Sequence, residues 1–131
     1  MGARRDDVAM RRILFACAFL LVFPAQGAKQ SATPNRFGAI AYHRATQSWG
    51  AGYDMARERD ASLAALKQCG NHECEVVHKF KNGCAALADG PRIHAPSSGA
   101  TRAEAETKAL KRCSTLNKGA SCNLIAWACT R

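Results

Sequence analysis

The chain has 131 residues, a net charge of +9 and seven cysteines, and 47% of its residues are apolar. This length leaves room for one domain and excludes a multidomain protein. A positive charge favours polyanionic partners such as nucleic acid, anionic lipid or acidic glycans, but scattered basic residues are more typical of a solvated surface.

The N-terminal residues 1–27 have the pattern of a secretory signal peptide. Four arginines precede an apolar run at residues 13–23, which Pro24 ends, and two small residues follow. The run is too short for a membrane span, which needs roughly 20 apolar residues. We therefore expect cleavage near Ala28, a periplasmic or secreted protein, and no stable membrane anchor after cleavage.

The rest of the chain is predicted to be a flexible leader at residues 28–36, followed by a single domain over residues 37–131. From residue 28 onward there are fifteen basic and eight acidic residues, a net charge of +7, and six cysteines. An even number of cysteines in a small exported domain indicates disulfides rather than metal ligands or nucleophiles. We expect neither a metal nor another cofactor.

The domain begins with two predicted strands, at residues 37–42 and 48–53, joined by a polar loop as in an antiparallel hairpin. Glycines within these strands permit close approach by a neighbouring element. The aromatic residues of the predicted strands are expected to lie in the core. They are Phe37, Tyr42, Trp49, Tyr53, Phe80 and Trp127.

A helix is predicted over residues 57–68, where small apolar residues recur on one face and a glycine follows as a stop. Residues 75–80 are rich in strand formers. The Asn82-Gly83 pair after them is the strongest turn signal in the chain. The pattern predicts a tight hairpin in which residues 84–88 run back alongside residues 75–80.

The remaining predicted elements are a loop, a helix and a strand. Residues 90–99 are rich in Gly, Pro and Ser and are predicted to form the loop. Thr101 and Glu104 form a capping box ahead of a helix over residues 102–113. Residues 121–128 are predicted to be the last strand.

The second helix and its following strand repeat the plan of the first. Without gaps, three blocks of the two helices match: Asp60-Ala61 with Glu104-Ala105, Ala65-Leu66-Lys67 with Ala109-Leu110-Lys111, and Cys69 with Cys113. The first copy lacks the hydroxyl cap, since Arg57 stands where the second has Thr101. The sequence predicts a small α+β domain, with two helices packed on a mainly antiparallel sheet and a weak helix–cysteine–strand duplication.

The repeat also narrows the possible cysteine pairings. If both copies are built alike, each ties its helix end to the following strand, through Cys69–Cys74 in one and Cys113–Cys122 in the other. Cys84–Cys129 then remains as the long-range bridge. In the chain-entropy view, this bridge closes the longest loop and contributes most, about 4 kcal/mol at most.

These motifs, taken together, resemble a bacterial exported family called domain of unknown function 4189. The resemblance rests on FGAIAY at residues 37–42, a Trp-Gly strand, a helix ending in Cys69-Gly70, Cys74 with its strand, and the segment NGCAAL. It covers residues 37–129. What the resemblance implies is a small secreted or periplasmic disulfide-containing domain without an assigned activity, and it carries over no catalytic residue.

One candidate site is a zinc centre. Cys69, His72, Cys74 and His78 lie close together in the chain and are residue types that zinc binds. Their spacing is not that of a known finger, and an exported protein would have its thiols oxidised first. A disulfide beside exposed histidines is therefore the favoured interpretation.

A second candidate is a ribonuclease site, because some small, basic, disulfide-linked secreted proteins cleave RNA. His43 and His78 would supply the general base and acid, and Lys79 the cation at the phosphate. Nothing in the spacing shows that these three residues converge.

Nucleophilic and nucleotide-dependent chemistry is disfavoured. Ser97 and Ser98 lie in a predicted Pro/Gly loop without the elbow of a serine hydrolase, and the sequence has no glycine-rich phosphate loop. We interpret the protein as a non-catalytic exported binding module for a protein partner at the envelope or outside the cell, such as an inhibitor, immunity protein or secreted effector. A small basic secreted nuclease or polyanion-binding protein is the alternative, with nucleic acid the less favoured partner.

Overall fold

Six strands and two helices make up residues 33–131, the part of the chain that the computed structural model describes. In chain order they are β1 (Phe37–His43), β2 (Ser48–Met55), α1 (Glu58–Cys69), β3 (Glu75–Lys81), β4 (Cys84–Asp89), β5 (His94–Gly99), α2 (Arg102–Leu116) and β6 (Asn123–Cys129). The signal peptide predicted at residues 1–27, and the predicted leader up to residue 32, lie outside the described residues.

Each half of the domain folds into the same ββαβ unit. In the first half, the first sheet has the strand order β2-β1-β3, and in the second half the second sheet has the order β5-β4-β6, with every pairing antiparallel. Each half also has a bulge at the corresponding place, because the pairing skips Val77 in β3 and Ile125 in β6. The duplication therefore extends beyond the helix–cysteine–strand segment to the whole ββαβ unit.

The α+β class, with two helices and antiparallel pairing, is confirmed, but the strands form two sheets rather than one. The prediction of a hairpin at Asn82-Gly83 is wrong, since β3 and β4 belong to different sheets. Asn82 donates its N–H to the Arg36 carbonyl (3.0 Å), and Gly83 donates its N–H to the Thr130 hydroxyl (3.0 Å). Because these bonds lead to the start of β1 and the end of β6, the pair carries the chain from one sheet to the other.

The predicted loop at residues 90–99 is also partly wrong, because residues 94–99 form β5. This strand pairs with β4 along its whole length, from Gly99 opposite Cys84 to His94 opposite Asp89. Gly, Pro and Ser are poor strand formers, so the local signal indicated a loop, and pairing with the buried β4 overrode it. Pro96 is compatible with a strand here because β5 is an edge strand.

Four layers stack in the order α1, first sheet, second sheet, α2. Because alternate residues of a strand point to opposite faces, the central strands β1 and β4 serve two cores each. Ala39 and Ala41 pack under α1, and Ala86 and Ala88 pack under α2. Between the sheets lies a shared core of buried residues: Ile40, Tyr42, Ala51, Phe80, Ala85, Leu87, Ala126 and Ala128.

Helix α1 lies directly on strand β2. A Cβ atom at Gly50 would overlap with the backbone of Ala65 and Cys69, and one at Gly52 would overlap with the backbone of Ala61. The expectation that glycines in this strand permit close approach is therefore confirmed.

The helix ends follow the sequence signals. Thr101 accepts a hydrogen bond from the Glu104 N–H (3.2 Å), and the Glu104 carboxylate accepts one from the Ala100 N–H (3.1 Å). Arg57 makes no side-chain cap at the start of α1, which ends at Gly70 with a φ of 70°. The missing cap and the glycine stop are both confirmed.

Three disulfides join the cysteines of the described chain. Cys69–Cys74 and Cys113–Cys122 each tie a helix end to the segment before the next strand, with Cα separations of 6.4 and 6.2 Å. Cys84 and Cys129 face each other across β4 and β6, and their Cα atoms are 4.0 Å apart. These are the pairs that the repeat predicts.

Candidate binding cleft between the two sheets

A cleft of about 380 Å³ opens at the side of the molecule where the edge strands β2 and β6 meet. Ala51 and Ala128 of the core between the sheets form part of its lining, so the cleft reaches the central core. Its other lining residues are Trp49, Tyr53 and Asp54 of β2, Gln68 of α1, Trp127 and Cys129 of β6, and Arg131.

Three aromatic rings of the cleft are exposed, which corrects the prediction that they lie in the core. Trp49 is 40% exposed, Tyr53 is 52% exposed and Trp127 is 43% exposed. Tyr42 and Phe80, by contrast, are buried as predicted. Tyr42 and Phe80 pack into the core between the sheets, where the Phe80 ring lies against Gly38, whereas the three exposed rings border the opening at the β2–β6 side.

Charged and polar groups border the aromatic rings. The Arg102 guanidinium lies 3.9 Å from the ring centre of Trp127, a cation–π contact. The Asp54 carboxylate accepts a hydrogen bond from the Arg131 N–H at 2.6 Å. The cleft therefore combines aromatic surface with Asp54 and Arg131 in its lining, and the Arg102–Glu106 ion pair (2.6 Å) lies beside Trp127.

Gln68 reaches from the end of α1 to the edge of β2. Its side-chain carbonyl accepts a hydrogen bond from the Ala51 N–H at 2.6 Å. Although Ala51 is buried, Gln68 is exposed. An exposed side chain thus satisfies a backbone donor of the edge strand.

The opposite side of the molecule, where β3 and β5 meet, is the counterpart of the cleft in the duplicated fold. There the His78 Nε2 and the Ser98 hydroxyl are 2.5 Å apart and bridge the two strands. Burial, and then the positive charge of Arg112, lower the pKa of His78, which favours a neutral ring at pH 7. Small and polar residues close this side, whereas aromatic residues border the open cleft.

The candidate ribonuclease residues are held apart by separate partners. His43 Nε2 lies 3.2 Å from the Glu73 carboxylate, and His43 Nδ1 lies 2.8 Å from the Thr46 hydroxyl. Lys79 forms an ion pair with Glu58 at 3.1 Å, and His78 bonds to Ser98. The structure does not bring the three residues together into one site.

A second depression, of about 530 Å³, lies beside His43 and is bordered by polar residues that bond to one another. The Tyr42 hydroxyl donates to the Asp89 carboxylate (2.9 Å), and Arg44 donates to the same carboxylate (3.0 Å). Burial and the bond to Asp89 raise the pKa of Tyr42 well above its usual range. This network ties β1 to β4, and we interpret it as a connection between the two halves.

The residues of the candidate zinc centre are also divided. Cys69 and Cys74 are bonded to each other, so their sulfur atoms are not thiolate ligands. His78 lies at the β3–β5 edge with Ser98. Ser97 lies on β5, paired with Ala86.

Sequence reasoning missed the cleft. The alternation of Trp49, Ala51 and Tyr53 on one face of β2 is visible in the sequence, and it signals a shared surface. That the surface is open depends on which strands lie at the sheet edges. Across residues 33–131, no helix is long and apolar enough to span a membrane.

The fold and its bridges define a small duplicated α+β domain stapled by disulfides. The sequence model of the family described as "Domain of unknown function (DUF4189)" matches residues 37–129. The chain belongs to this family, which confirms the resemblance seen in the sequence.

Relatives are found in mycobacteria. Protein Rv1269c of Mycobacterium tuberculosis is 34% identical over 93 residues, which are 71% of this chain and 68% of that protein. The uncharacterized protein Rv1813c of the same organism is also 34% identical over 93 residues, 71% of this chain but only 59% of its own length. The NMR structure of Rv1813c superposes with a TM-score of 0.53 at 27% identity, covering 72% of this chain and 74% of that one.

Proposed function

We propose that this protein is an exported, non-catalytic binding module that holds a protein partner in the cleft between β2 and β6. The observation that carries the proposal is the exposure of Trp49, Tyr53 and Trp127 around one opening. Trp, Tyr and Arg are the residues that most often dominate the binding energy of protein interfaces. A folded domain exposes neighbouring large rings at a cost in solubility, which a binding role would explain.

Rigidity supports a binding role. Cys129 of the Cys84–Cys129 disulfide lines the cleft, and the Cys69–Cys74 disulfide follows directly after Gln68. A site that is already ordered before binding loses less conformational entropy when the partner docks. The bridges therefore favour tight recognition by a small domain.

Disulfides also support export. They form and persist in oxidising compartments such as the periplasm or the extracellular space. This agrees with the signal peptide expected at residues 1–27. An inhibitor, an immunity protein or a secreted effector are the roles that a rigid exported module of this kind would serve.

Photo-crosslinking tests the proposal. A photoreactive phenylalanine in place of Tyr53 should crosslink to a partner in cells that export the protein, and Trp127→Ala should abolish the crosslink. Leu124→Ala is the matched control, because Leu124 is similarly exposed on β6 but does not line the cleft. Equal crosslinking from Leu63, which is exposed on α1, or crosslinking that survives Trp127→Ala, would contradict the proposal.

The alternative, a secreted nuclease, makes a different prediction. Purified protein would cleave RNA, and His43→Ala or His78→Ala would abolish cleavage while the fold remained intact. The non-catalytic proposal expects no cleavage of RNA. Cleavage that either substitution removes would overturn it.

A further inference from the structure

The edge of strand β2 has a backbone donor that faces away from its own sheet. Ala51 lies opposite Ile40 in the register, and its N–H bonds to Gln68 rather than to β1. In an antiparallel strand, the N–H and C=O of one residue point to the same side. The Ala51 carbonyl therefore also faces the open edge, where a further strand would pair.

Gln68 occupies the position that such a strand would take. A glutamine side chain ends in an amide, the same chemical group as a peptide bond. Its carbonyl accepts the Ala51 N–H as the carbonyl of an added strand would. The side chain is exposed and flexible, so it is able to rotate away.

In the second half of the fold, the equivalent strand edge, that of β5, has no free backbone donor at the corresponding position. Pro96 lies opposite Leu87, as Ala51 lies opposite Ile40, and proline has no N–H to offer. Arg112 precedes Cys113 as Gln68 precedes Cys69, and it donates to the Pro96 carbonyl at 3.1 Å. The edge of β5 is thus blocked permanently, which is a common protection against unwanted strand pairing. The edge of β2 is covered by a side chain that a competing carbonyl can replace.

The surroundings of Ala51 indicate what the added strand would carry. Trp49 and Tyr53 flank Ala51 at alternate positions, and together with Trp127 they offer apolar contacts to alternate side chains. Arg102, beside Trp127, is paired with the Glu106 carboxylate at 2.6 Å, and the Asp54 carboxylate accepts from the Arg131 N–H, so acidic and basic residues balance at the border. A segment with apolar side chains at alternate positions is therefore the complementary one.

We infer that the cleft takes an extended segment of the partner protein with apolar side chains at alternate positions, which pairs with the edge of β2 after displacing the Gln68 side chain. This inference rests on the proposed function and adds the mode of binding to it. The backbone of the segment would bond to Ala51, and its alternate side chains would contact the aromatic rings.

A display library of random peptides, about nine residues long to match a strand, is the probe. Peptides selected on the full-length exported protein, and rejected by the Trp127→Ala variant, should be rich in strand formers and should carry apolar side chains at alternate positions. N-methylation of one alternating set of their backbone amides should lower affinity about tenfold or more, and methylation of the other set should have little effect.

Two substitutions sharpen the test. Gln68→Ala removes the competing side chain and should raise peptide affinity about three- to tenfold. Ala51→Pro copies the block found at Pro96 and should lower affinity about tenfold or more. Circular dichroism establishes that each variant is folded, and the Gln68→Ala result decides the matter if Ala51→Pro does not fold.

The outcomes separate the two proposals. Peptides that need Trp127 but are indifferent to N-methylation and to Gln68→Ala would overturn strand addition and leave the binding module standing. Failure to select any peptide, or selection of helical peptides or of peptides without alternating apolar side chains, would overturn the inference as well. If Gln68→Ala dimerises and the dimer excludes peptide, the occupant of the edge is a second copy of the chain, and the inference is wrong. Loss of the proposed function would show separately, as the absence of any crosslink from position 53.

Discussion

At the scale of single residues, an asparagine after each helix holds the strand connection of its own half. Asn117 is a polar residue that is almost completely buried, at 2% exposed. Its side chain accepts from the Arg92 and Ile93 N–H groups and donates to the Ile93 and Cys113 carbonyls. In the first half, Asn71 contacts the β1–β2 connection through the side chains of His43 and Thr46 instead.

Replacing Asn117 should be among the most damaging single changes to a polar residue. Asn117→Ala leaves one buried and three partly buried backbone groups without their side-chain partner, so we expect the free energy of unfolding to fall by about 2–3 kcal/mol. Urea unfolding measures this change. Asn123→Ala is the control, because Asn123 is exposed, and it should change stability by no more than about 0.5 kcal/mol. Similar losses in both variants would contradict the role assigned to Asn117.

His78 should make stability depend on pH. The pKa of His78 is lowered in the fold by burial and by Arg112, whereas in the unfolded chain it is about 6.5. As the pH falls below that value, His78 becomes protonated in the unfolded state but not in the folded state. The free energy of unfolding therefore decreases until the pH passes the pKa of His78 in the folded state. Denaturation between pH 7 and pH 5 should therefore show a shallower loss for His78→Gln than for the wild type. His72→Gln, at an exposed position, should match the wild type, and an unchanged slope in His78→Gln would refute the assignment.

At the scale of elements, the two helices of the repeat differ at their first turn. α2 begins at a threonine that accepts from the Glu104 N–H, while α1 begins at Arg57 without a side-chain cap. The packing of α1 on the glycines of β2 compensates, because tertiary contacts contribute more to helix stability than the local signals do. The same fold therefore tolerates a weak start in one copy.

Removing the cap of α2 and adding a cap to α1 should change the thermal stability of the protein in opposite directions. Thr101→Ala removes a cap and should cost about 1 kcal/mol, while Arg57→Ser adds one and should contribute about 0.5–1 kcal/mol. Thermal unfolding of both variants tests the pair. Thr107→Ala, at an exposed position within α2, should not destabilise, since alanine favours the helix. A loss in Arg57→Ser equal to that in Thr101→Ala would count against the capping explanation.

At the scale of the whole molecule, two of the disulfides join cysteines that are close in the sequence, and the third joins cysteines that are far apart in it. The local pairs close separations of 5 and 9 residues, and Cys84–Cys129 closes a separation of 45. The long bridge lies inside the second sheet, where the first sheet has Phe37 opposite Lys81. It therefore distinguishes the second half from the first.

Removing the long bridge should cost the most stability. Cys84→Ala with Cys129→Ala should lower the free energy of unfolding by up to ~4 kcal/mol, and Cys69→Ala with Cys74→Ala should lower it less, because the shorter loop restricts the unfolded chain less. Chemical denaturation ranks the two double variants. Peptide mapping without reductant should recover the three pairs, and a fragment linking Cys69 to Cys113 would refute the pairing.

Much of this architecture was readable from local patterns. Both helices, five of the six strands and the glycine contacts of β2 follow from periodicity and from residue types whose backbone preferences are strong. The pairing of the cysteines follows from the repeat, since equivalent helix ends call for equivalent bridges. These features depend on residues near one another in the chain, so the sequence alone determined them.

Only the tertiary structure decided which strands are neighbours. Asn82-Gly83 has the composition of a hairpin turn, yet its hydrogen-bonding groups are satisfied by Arg36 and Thr130, which are distant in the chain. Residues 94–99 form a strand because their backbone pairs with β4. Trp49, Tyr53 and Trp127 carry the same local signal as Phe80, which is buried although it also lies on an edge strand, and they are exposed because a cleft stays open between β2 and β6. The candidate site was invisible in the sequence for that reason: the exposure of a strand residue depends on what lies beside and above its strand, and those neighbours come from distant parts of the chain.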